Sequence, residues 1–427
     1  MKSFMNHRFY MISQLVLIGL LLAITRKLNI VTRFFNSQLY IIHLFSHTKH
    51  SIHVSFNISP IILPDSPSFD FLPFLPKKPT NMPSHKTTHL INYTNNWYDE
   101  LRTRIIQKKS YPNCTACKPP TSIVRKDIAN SDETDFLIGV AFQTPYNLIS
   151  FIGTYRAVGG KATVIVLCDH NSSKKIDAKT REIYKKCGGY IIDVGDLKFI
   201  SVSHVFSTKM YLCYDFLRYT LHISSLRMNR VMIIDISDIV FQGDPFNKMV
   251  SSKNNVITFV GEHLPFKIDG YWTKRVKNIP HINLTYFYKK PVINGGTYAA
   301  NRATLIKYFN LYFRYVDFAN PKSIKSDDQA YINFLHYMNI TKIAGFKSKL
   351  IEENEGYVMI YSTPGIIKKL SSYQYGNIRS PFSVNKTIIV HQFDRSIKIT
   401  KSIVSSCPIP PGCNKQYYFR RTHLERP

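Results

Sequence analysis

Apolar strand-like runs alternate with helical patterns in the middle of this chain, and this alternation is the feature that most constrains the fold. Strands and helices are predicted in turn at residues 136–142, 147–158, 162–168, 178–186, 190–194, 208–225 and 231–234. Continuously apolar strands that alternate with helices form a largely parallel sheet with helices on both faces. The sequence therefore predicts an α/β domain that begins near Asp135 and binds ligands at the carboxyl ends of its strands.

The N-terminal region contains an apolar segment that suits a membrane span. Residues 9–25 carry no charged side chain, with Arg8 before them and Arg26 and Lys27 after them. A helix of this length reaches the lower limit for crossing the hydrocarbon core of a membrane. We predict a single-pass type II protein with a cytoplasmic tail at 1–8 and an uncleaved signal anchor at 9–25, and a cleaved signal peptide is the alternative.

The region after the predicted anchor is rich in proline. Proline recurs between residues 60 and 83 with few acidic residues, which favours an extended spacer over a packed element. A helical pattern at 98–108 and a turn region with Cys and Pro follow it. We therefore assign 26–134 to a stem and collar, and 401–427 to a C-terminal tail.

Either interpretation of the N-terminus places the remaining chain in the lumen of the secretory pathway. Acceptor sites for N-glycosylation are spread over the chain after the anchor, as a lumenal protein tolerates, although several are expected by chance in an Asn-rich sequence. They lie at Asn57, Asn92, Asn113, Asn171, Asn283, Asn339 and Asn385.

The cysteines give a second indication of an oxidising compartment. Cys114 with Cys117, and Cys407 with Cys413, are each close enough in sequence to close a small loop if oxidised. The remaining cysteines are interpreted as buried apolar residues with at most one further disulfide among them, namely Cys168, Cys187 and Cys213.

The charge balance favours anionic partners. Lys and Arg number 56 against 27 Asp and Glu, which gives a formal net charge of +29. A surface this positive attracts phosphates, acidic glycans and membrane faces. The basic residues are dispersed, and an apolar N-terminal segment precedes the domain, so we predict no nucleic-acid partner.

Two carboxylates stand at the end of a buried strand. In the segment VMIIDISDIVFQGDPF, residues 231–246, Asp235 and Asp238 follow four apolar residues. Oxygen ligands at a strand end suit Mg²⁺ or Mn²⁺ and leave positions for water and diphosphate oxygens. The alternative is a turn in which the Asp side chains cap backbone amides.

This segment resembles the aspartate motif of GT-A fold glycosyltransferases, especially the eukaryotic nucleotide-diphospho-sugar transferase-like families. In the family the usual spacing is Asp-x-Asp, whereas the chain has Asp-x-x-Asp. The resemblance extends in matching order over residues 135–400 through YDFLRYTL at 214–221, INGGTYAANRATL at 293–305, DDQAYINFL at 327–335 and IIVHQFDR at 388–395. It implies a Rossmann-like GT-A domain, with a nucleotide-diphosphate sugar as donor and Mn²⁺ or Mg²⁺ as cofactor.

The resemblance also implies roles for particular residues. The metal would be bound by Asp235, Asp238 and His391, with Asp238 as the first choice. Asp235 would otherwise contact the nucleotide ribose, and Arg218 would contact the diphosphate or nucleotide. A core histidine at 391 and a surface cation at 218 are the structural alternatives.

Further residues would face the sugar or the acceptor. Asn294 and Gly295 allow close approach of the backbone to a sugar, with the amide able to donate and accept hydrogen bonds. Asp328 would orient an acceptor hydroxyl or act as a base, with Glu262 as a competing carboxylate, while a helix N-cap is the alternative for Asp328.

The resemblance implies a metal-dependent glycosyltransferase, of hexosyltransferase-like type, that moves a sugar to a glycan or glycoprotein acceptor. It would be anchored in the Golgi or endoplasmic reticulum membrane with its catalytic domain in the lumen. The alternative function is a non-catalytic lumenal protein of the same fold that binds carbohydrate or acts as a scaffold.

Overall fold

The structure is a computed structural model of the chain, and it describes the greater part of the region from residue 97 to residue 407. The described residues are 97–106, 114, 116–118, 130–142, 147–196, 205–246, 249–265, 270–277, 279, 284–316, 328–360 and 370–407. All of them belong to the compact unit Pro76–Pro427. The predicted cytoplasmic tail, the anchor and the proline-rich stem at 60–83 lie outside the described residues. Within the described part of the chain, no helix is long and apolar enough to cross a membrane.

The described residues form a mixed α/β fold around a seven-stranded, mostly parallel sheet with the order β3-β2-β1-β4-β7-β6-β8. Its strands are β1 (Phe136–Ala141), β2 (Thr163–Cys168), β3 (Gly189–Asp193), β4 (Arg230–Ile234), β6 (Val256–Pro265), β7 (Pro291–Asn301) and β8 (Lys347–Ile351). A second, three-stranded sheet has the order β5-β10-β9 and is formed by β5 (Ile239–Phe241), β9 (Val358–Ile360) and β10 (Ile389–His391).

The parallel half of the large sheet confirms the predicted alternation. β1, β2, β3 and β4 pair in parallel, and their apolar residues are almost completely buried. Both ends of each strand lie within two residues of the predicted ends. A buried parallel strand requires an uninterrupted apolar run, so the limits of the run indicate the limits of the strand.

The other half of the sheet contains an antiparallel strand. β7 pairs in the antiparallel sense with β4 on one side and with β6 on the other, and β6 then pairs in parallel with β8. β7 lies between β4 and β6, in the interior of the sheet. Its pairing with β4 places the backbone near residue 297 beside the carboxyl end of β4.

Helices flank the strands. They are α1 (Trp97–Ile106), α2 (Leu148–Ala157), α3 (His170–Lys174), α4 (Ala178–Lys186), α5 (Val205–Tyr219), α6 (Gly270–Lys277), α7 (Arg302–Tyr312), α8 (Asp328–Tyr337), α9 (Ile340–Ile343) and α10 (Ile397–Ser406). The predicted helix at 208–225 is shorter than expected, since α5 ends at Tyr219 and a 3₁₀ turn, Thr220–His222, follows it.

The collar and the end of the chain belong to the folded body. Trp97 on α1 is buried against Tyr190 and Phe216, with ring centroids 6.3 Å and 5.5 Å apart. α10 is buried through Ile399 and Ile403, although most of it lies beyond residue 400. The packed unit therefore includes residues on both sides of the predicted range 135–400.

The disulfides correct the predicted pairing of the cysteines. Cys114 pairs with Cys187, and Cys117 pairs with Cys407, across separations of 73 and 290 residues. The collar thus joins the end of α4 to the end of α10, where Lys118 N also donates to Ser406 O at 2.7 Å. Cys187 is therefore not a free apolar residue, whereas Cys168 and Cys213 are buried and free as predicted. Cys413 lies outside the described residues.

Candidate metal centre

The Asp-x-x-Asp loop lies at the carboxyl end of β4, between the two sheets. β4 ends at Ile234, and the N–H of Asp235 then donates to Gly296 O on β7 at 2.8 Å. β5 begins at Ile239, immediately after Asp238. The loop therefore connects the large sheet to the small sheet, and both of its carboxylates emerge at the junction.

His391 reaches this loop through the register of the small sheet. β10 pairs with β5 in the antiparallel sense, with His391 opposite Ile239. The N–H of Gln392 donates to Asp238 O at 2.7 Å and continues the pairing. A histidine that ends one strand is thus fixed beside a carboxylate that precedes another.

The three side chains are close enough to share one ion. His391 Nε2 lies 3.4 Å from Asp235 Oδ2 and 3.5 Å from Asp238 Oδ1, and one ligand atom from each residue falls within 4.8 Å of the others. Two ligands about 2.1 Å from one ion lie roughly 3.0–3.4 Å apart at the usual bond angles. The predicted set Asp235, Asp238 and His391 therefore forms a possible metal-binding triad.

Unsatisfied polar atoms support this assignment. Asp238 Oδ1 and both ring nitrogens of His391 are buried and have no hydrogen-bond partner among the described residues. Buried polar atoms without hydrogen bonds are costly, and a bound cation would replace the 3.5 Å contact between His391 Nε2 and Asp238 Oδ1 by bonds to both atoms. The residues present therefore fit a divalent metal.

Gly296 allows the backbone of β7 to lie against the triad. A Cβ atom at this position would meet Asp235 Oδ2 at 2.4 Å and His391 Cε1 at 2.5 Å. These distances are shorter than any side chain tolerates, so glycine is required for the close approach. The second glycine of the Asn-Gly-Gly segment thus leaves room for the triad itself.

Lys209 is a charged residue of the site that sequence analysis missed. Its side chain is 8% exposed, and its Nζ lies 2.9 Å from Asp235 Oδ1 and 3.2 Å from Asp328 Oδ2. Nζ also donates to Gly295 O at 3.1 Å. The sequence signal was a single cation among the buried residues of α5, which include Met210, Leu212 and Cys213.

The charges of this cluster determine its protonation. Burial alone would raise the pKa of Asp235, but the charges of Lys209 and His391 outweigh it and hold that pKa well below its ordinary value. Burial would lower the pKa of Lys209, and the two carboxylates instead raise it. Lys209 is therefore a permanent cation, and it engages Oδ1 of Asp235 while Oδ2 faces His391.

Asp328 lies on the other side of Lys209, at the start of α8. It is 3% exposed, and its Oδ1 accepts a hydrogen bond from Gln329 N at 2.8 Å. Burial, together with the negative charge of Asp235, raises the pKa of Asp328 in spite of the opposing charge of Lys209. A carboxyl group with a raised pKa can hold or accept a proton, and the structure places this carboxyl group beside the triad.

Glu262 and Asn294 belong to a buried polar network. Glu262 Oε1 accepts hydrogen bonds from Asn294 Nδ2 at 3.0 Å and from Gln329 Nε2 at 2.9 Å. Asn294 Oδ1 accepts from Gly296 N at 2.8 Å, and Gln329 Oε1 accepts from Gly295 N at 3.0 Å. Both ends of the Asn294 amide thus bind the protein, so its contacts support the glycine segment.

Arg218 does not join this cluster. It lies nine residues after Lys209 on α5, which places it about 13 Å further along the helix and on the opposite face. Its guanidinium lies 5.5 Å from the ring centre of Tyr214. The structure therefore brings together the other predicted residues, Asp235, Asp238, Glu262, Asn294, Gly295, Asp328 and His391, and separates Arg218 from them.

Glu353, in the 3₁₀ turn Glu353–Glu355, is a buried carboxyl group near Glu262. It is 1% exposed, and it accepts hydrogen bonds from His263 N and from Ser380 Oγ, each at 3.3 Å. Burial and the charge of Glu262 raise its pKa from the ordinary 4.5 to about 8. Between these two values the folded protein binds more protons than the unfolded chain, so stability falls as the pH rises.

Glu353→Gln is expected to remove this pH dependence, because the amide keeps the shape and carries no charge. Wild type should lose stability relative to the variant between pH 5 and pH 8, by at most about 1.4 kcal/mol per pH unit. Urea denaturation of both proteins across this range measures the difference. Parallel stability curves would show that Glu353 titrates normally.

No family model and no curated protein sequence matches this chain. The family resemblance in the aspartate motif therefore stays a prediction, and the geometry of the site carries the functional argument.

Proposed function

We propose that this protein is a metal-dependent glycosyltransferase of the GT-A fold, similar to the eukaryotic nucleotide-diphospho-sugar transferase-like families. Its substrates would be a nucleotide-diphosphate sugar and a glycan or glycoprotein acceptor. The observation that carries the proposal is the convergence of Asp235, Asp238 and His391 at the carboxyl end of β4, beside a buried Lys209–Asp328 pair. Ligands of open α/β sheets bind at this edge.

The triad would hold Mn²⁺ or Mg²⁺. Mg²⁺ binds proteins mainly through carboxylates and water, so the imidazole nitrogen of His391 favours Mn²⁺. A bound divalent ion would supply positive charge for the diphosphate that leaves when the sugar is transferred. Asp235 and Asp238 orient toward His391 without any rearrangement, so the chain offers a preformed set of ligands.

The surrounding residues would position the ligands and carry the proton. Lys209 fixes one oxygen of Asp235, and Gly295 lets the backbone of β7 lie close to Asp328. Asp328 is the candidate to orient the acceptor hydroxyl or to accept its proton, since its pKa is raised by burial. Glu262 would act indirectly, through the amides of Asn294 and Gln329.

We further propose that the domain works in the lumen of the Golgi or endoplasmic reticulum, behind an N-terminal membrane anchor. The two disulfides of the described cysteines support an oxidising compartment, because disulfides persist there and are rare in the cytosol. The net charge of +29 suits phosphate-bearing donors.

A panel of nucleotide sugars tests the proposal. Thermal unfolding would be followed with each donor in the presence of Mn²⁺, with Mn²⁺ alone and with each donor in EDTA as controls. A donor at 100 times its Kd should stabilise the protein by about 2.7 kcal/mol. The stabilising donor would then be tested for Mn²⁺-dependent hydrolysis and transfer. If the folded protein neither bound nor hydrolysed any donor, this result would contradict the proposed enzymatic function. It would favour the alternative, a non-catalytic protein that binds carbohydrate.

A further inference from the structure

Asn147 stands at the N-terminus of α2 but does not cap this helix. Asn at such a position usually accepts a hydrogen bond from the first helical turn, which stabilises the helix by about 1 kcal/mol. The Asn147 side chain makes no such bond. Its Nδ2 instead donates to the backbone oxygen of Ser237. The carboxamide therefore binds a different part of the chain from the helix that it precedes.

Ser237 lies inside the Asp-x-x-Asp loop, between the two candidate ligands. Its peptide connects directly to Asp238, so its orientation helps to set the direction of that carboxylate. On the other side, Asp238 O accepts hydrogen bonds from Gln392 N at 2.7 Å and from Phe393 N at 3.3 Å. The loop is thus held by Asn147 from α2 and by the segment that follows His391.

The Asn147 side chain is well placed for a fixed contact. The residue is 7% exposed, and its Oδ1 is buried with no hydrogen-bond partner among the described residues. Rotation of the amide by half a turn would place Oδ1 against Ser237 O, where two acceptors repel each other. The donor half of the carboxamide therefore has one favourable orientation, toward the loop.

The same helix makes a second contact with the chain beyond the loop. Thr154 Oγ1, two turns further along α2, accepts a hydrogen bond from Phe241 N at 3.2 Å and donates to Ser150 O at 2.6 Å. The rings of Phe151 and Phe241 also lie 5.1 Å apart. α2 thus contacts the segment from Ser237 to Phe241 at both ends. Of these contacts, only the hydrogen bond from Asn147 reaches the Asp-x-x-Asp loop.

We infer that Asn147 is a positioning residue for the cation site: its carboxamide fixes the Ser237 peptide so that Asp235 and Asp238 both face His391. This inference rests on the proposed metal site, because the loop is useful in this orientation only if a cation binds there. Residues outside the ligand set that orient the ligands commonly contribute 10–100-fold to metal affinity.

The test is Mn²⁺ binding by the full chain, measured as the free Mn²⁺ signal in electron paramagnetic resonance. Asn147→Leu removes the amide at similar volume. Asn147→Asp keeps the shape, removes the donor and adds a negative charge near the site. Thr154→Val, on the same helix, is the matched control, and thermal unfolding of each metal-free protein reports its stability.

Asn147→Leu is expected to raise the Kd for Mn²⁺ by about 10–100-fold, while Thr154→Val keeps it within about twofold. Asn147→Asp should also weaken Mn²⁺ binding, because it removes the donor to Ser237 O. If Asn147 acted only through its charge or its volume, Asn147→Asp would bind Mn²⁺ as tightly as wild type or more tightly. Since the aspartate variant keeps the native shape, it decides the question if the leucine variant fails to fold.

Two results overturn the inference in different ways. Wild-type affinity in both Asn147 variants would exclude a positioning role and leave the proposed metal site intact. A wild-type chain that binds no Mn²⁺ would overturn the metal site and, with it, the proposed function.

Discussion

Replacing Lys209 by methionine is expected to lower the free energy of unfolding by about 3–5 kcal/mol, because it removes one partner of a buried ion pair. Methionine is similar in length to lysine but cannot compensate the negative charges of Asp235 and Asp328. The carboxylate oxygens of these residues lie 2.9 Å and 3.2 Å from Lys209 Nζ. The two carboxylates would then be left to repel each other around an apolar group. Urea denaturation of the metal-free protein measures the loss.

Lys185→Met is the matched control for this change. Lys185 Nζ also lies 2.9 Å from a carboxylate, that of Glu100, but the two side chains are 65% and 40% exposed. An exposed pair contributes less than about 1 kcal/mol, since water screens it. Equal effects in the two variants would mean that the buried charge of Lys209 does not stabilise the fold.

A second substitution separates charge from packing. Asp328→Asn in the Lys209→Met background removes one of the two uncompensated carboxylates at almost constant shape. It should restore a large part of the lost stability if repulsion and desolvation cause the loss. A double variant as unstable as the single variant would assign the effect to packing instead.

The parallel part of the fold was predictable because its determinants are local. Each of β1 to β4 is a short apolar run bounded by residues that favour turns, and a fully buried strand needs such a run. The predicted helix at 178–186 coincides with α4, where Asp177 caps the first turn by accepting from Thr180 N. Local sequence decides the existence and the limits of these elements.

The small sheet was not predictable in the same way. β5, β9 and β10 are each three residues long, and a run of that length has no periodicity to recognise. The pairing of β5 with β10 joins segments more than 100 residues apart, since Ile239 lies opposite His391. The prediction of His391 as a ligand rested on the family resemblance and on its position after an apolar run.

The Phe-Gln-x-Asp-Pro-Phe segment illustrates a motif that supports the site from a distance. Gln242 is 1% exposed, and its amide donates to Ile378 O and Thr387 O and accepts from Gly376 N. It thereby fixes the chain that leads into β10 and His391. These contacts are non-local, so the sequence identified the motif but not what it binds.

Asp244 in the same motif has a comparable structural role. It is completely buried, and it accepts hydrogen bonds from Asn130 N at 3.1 Å, Ser131 N at 2.9 Å and Phe246 N at 3.1 Å. The motif therefore binds the segment that precedes β1, through Asp244, and the segment that precedes β10, through Gln242. Of the carboxylates in this region, Asp235 and Asp238 face His391, whereas Asp244 binds backbone N–H groups.

Asp238→Ala is expected to abolish Mn²⁺ binding and any Mn²⁺-stimulated transfer. It removes one of the three candidate protein ligands, so the Kd should rise by more than about 100-fold, beyond the usual effect of residues outside the ligand set. In the metal-free protein the substitution removes only the 3.5 Å contact of Asp238 Oδ1 with His391 Nε2 and no hydrogen bond to another described residue, so the variant should stay folded, which thermal unfolding measures.

Glu182→Ala controls for the change in net charge. Glu182 is an exposed carboxylate paired with Lys186 on α4, far in sequence from the triad, and its loss should leave Mn²⁺ affinity unchanged. Calorimetric titration with Mn²⁺ and a donor-hydrolysis assay would be run on both variants and on wild type. Full Mn²⁺ affinity in Asp238→Ala would remove this residue from the ligand set, and the assignment of the triad, on which the proposed enzyme depends, would be wrong.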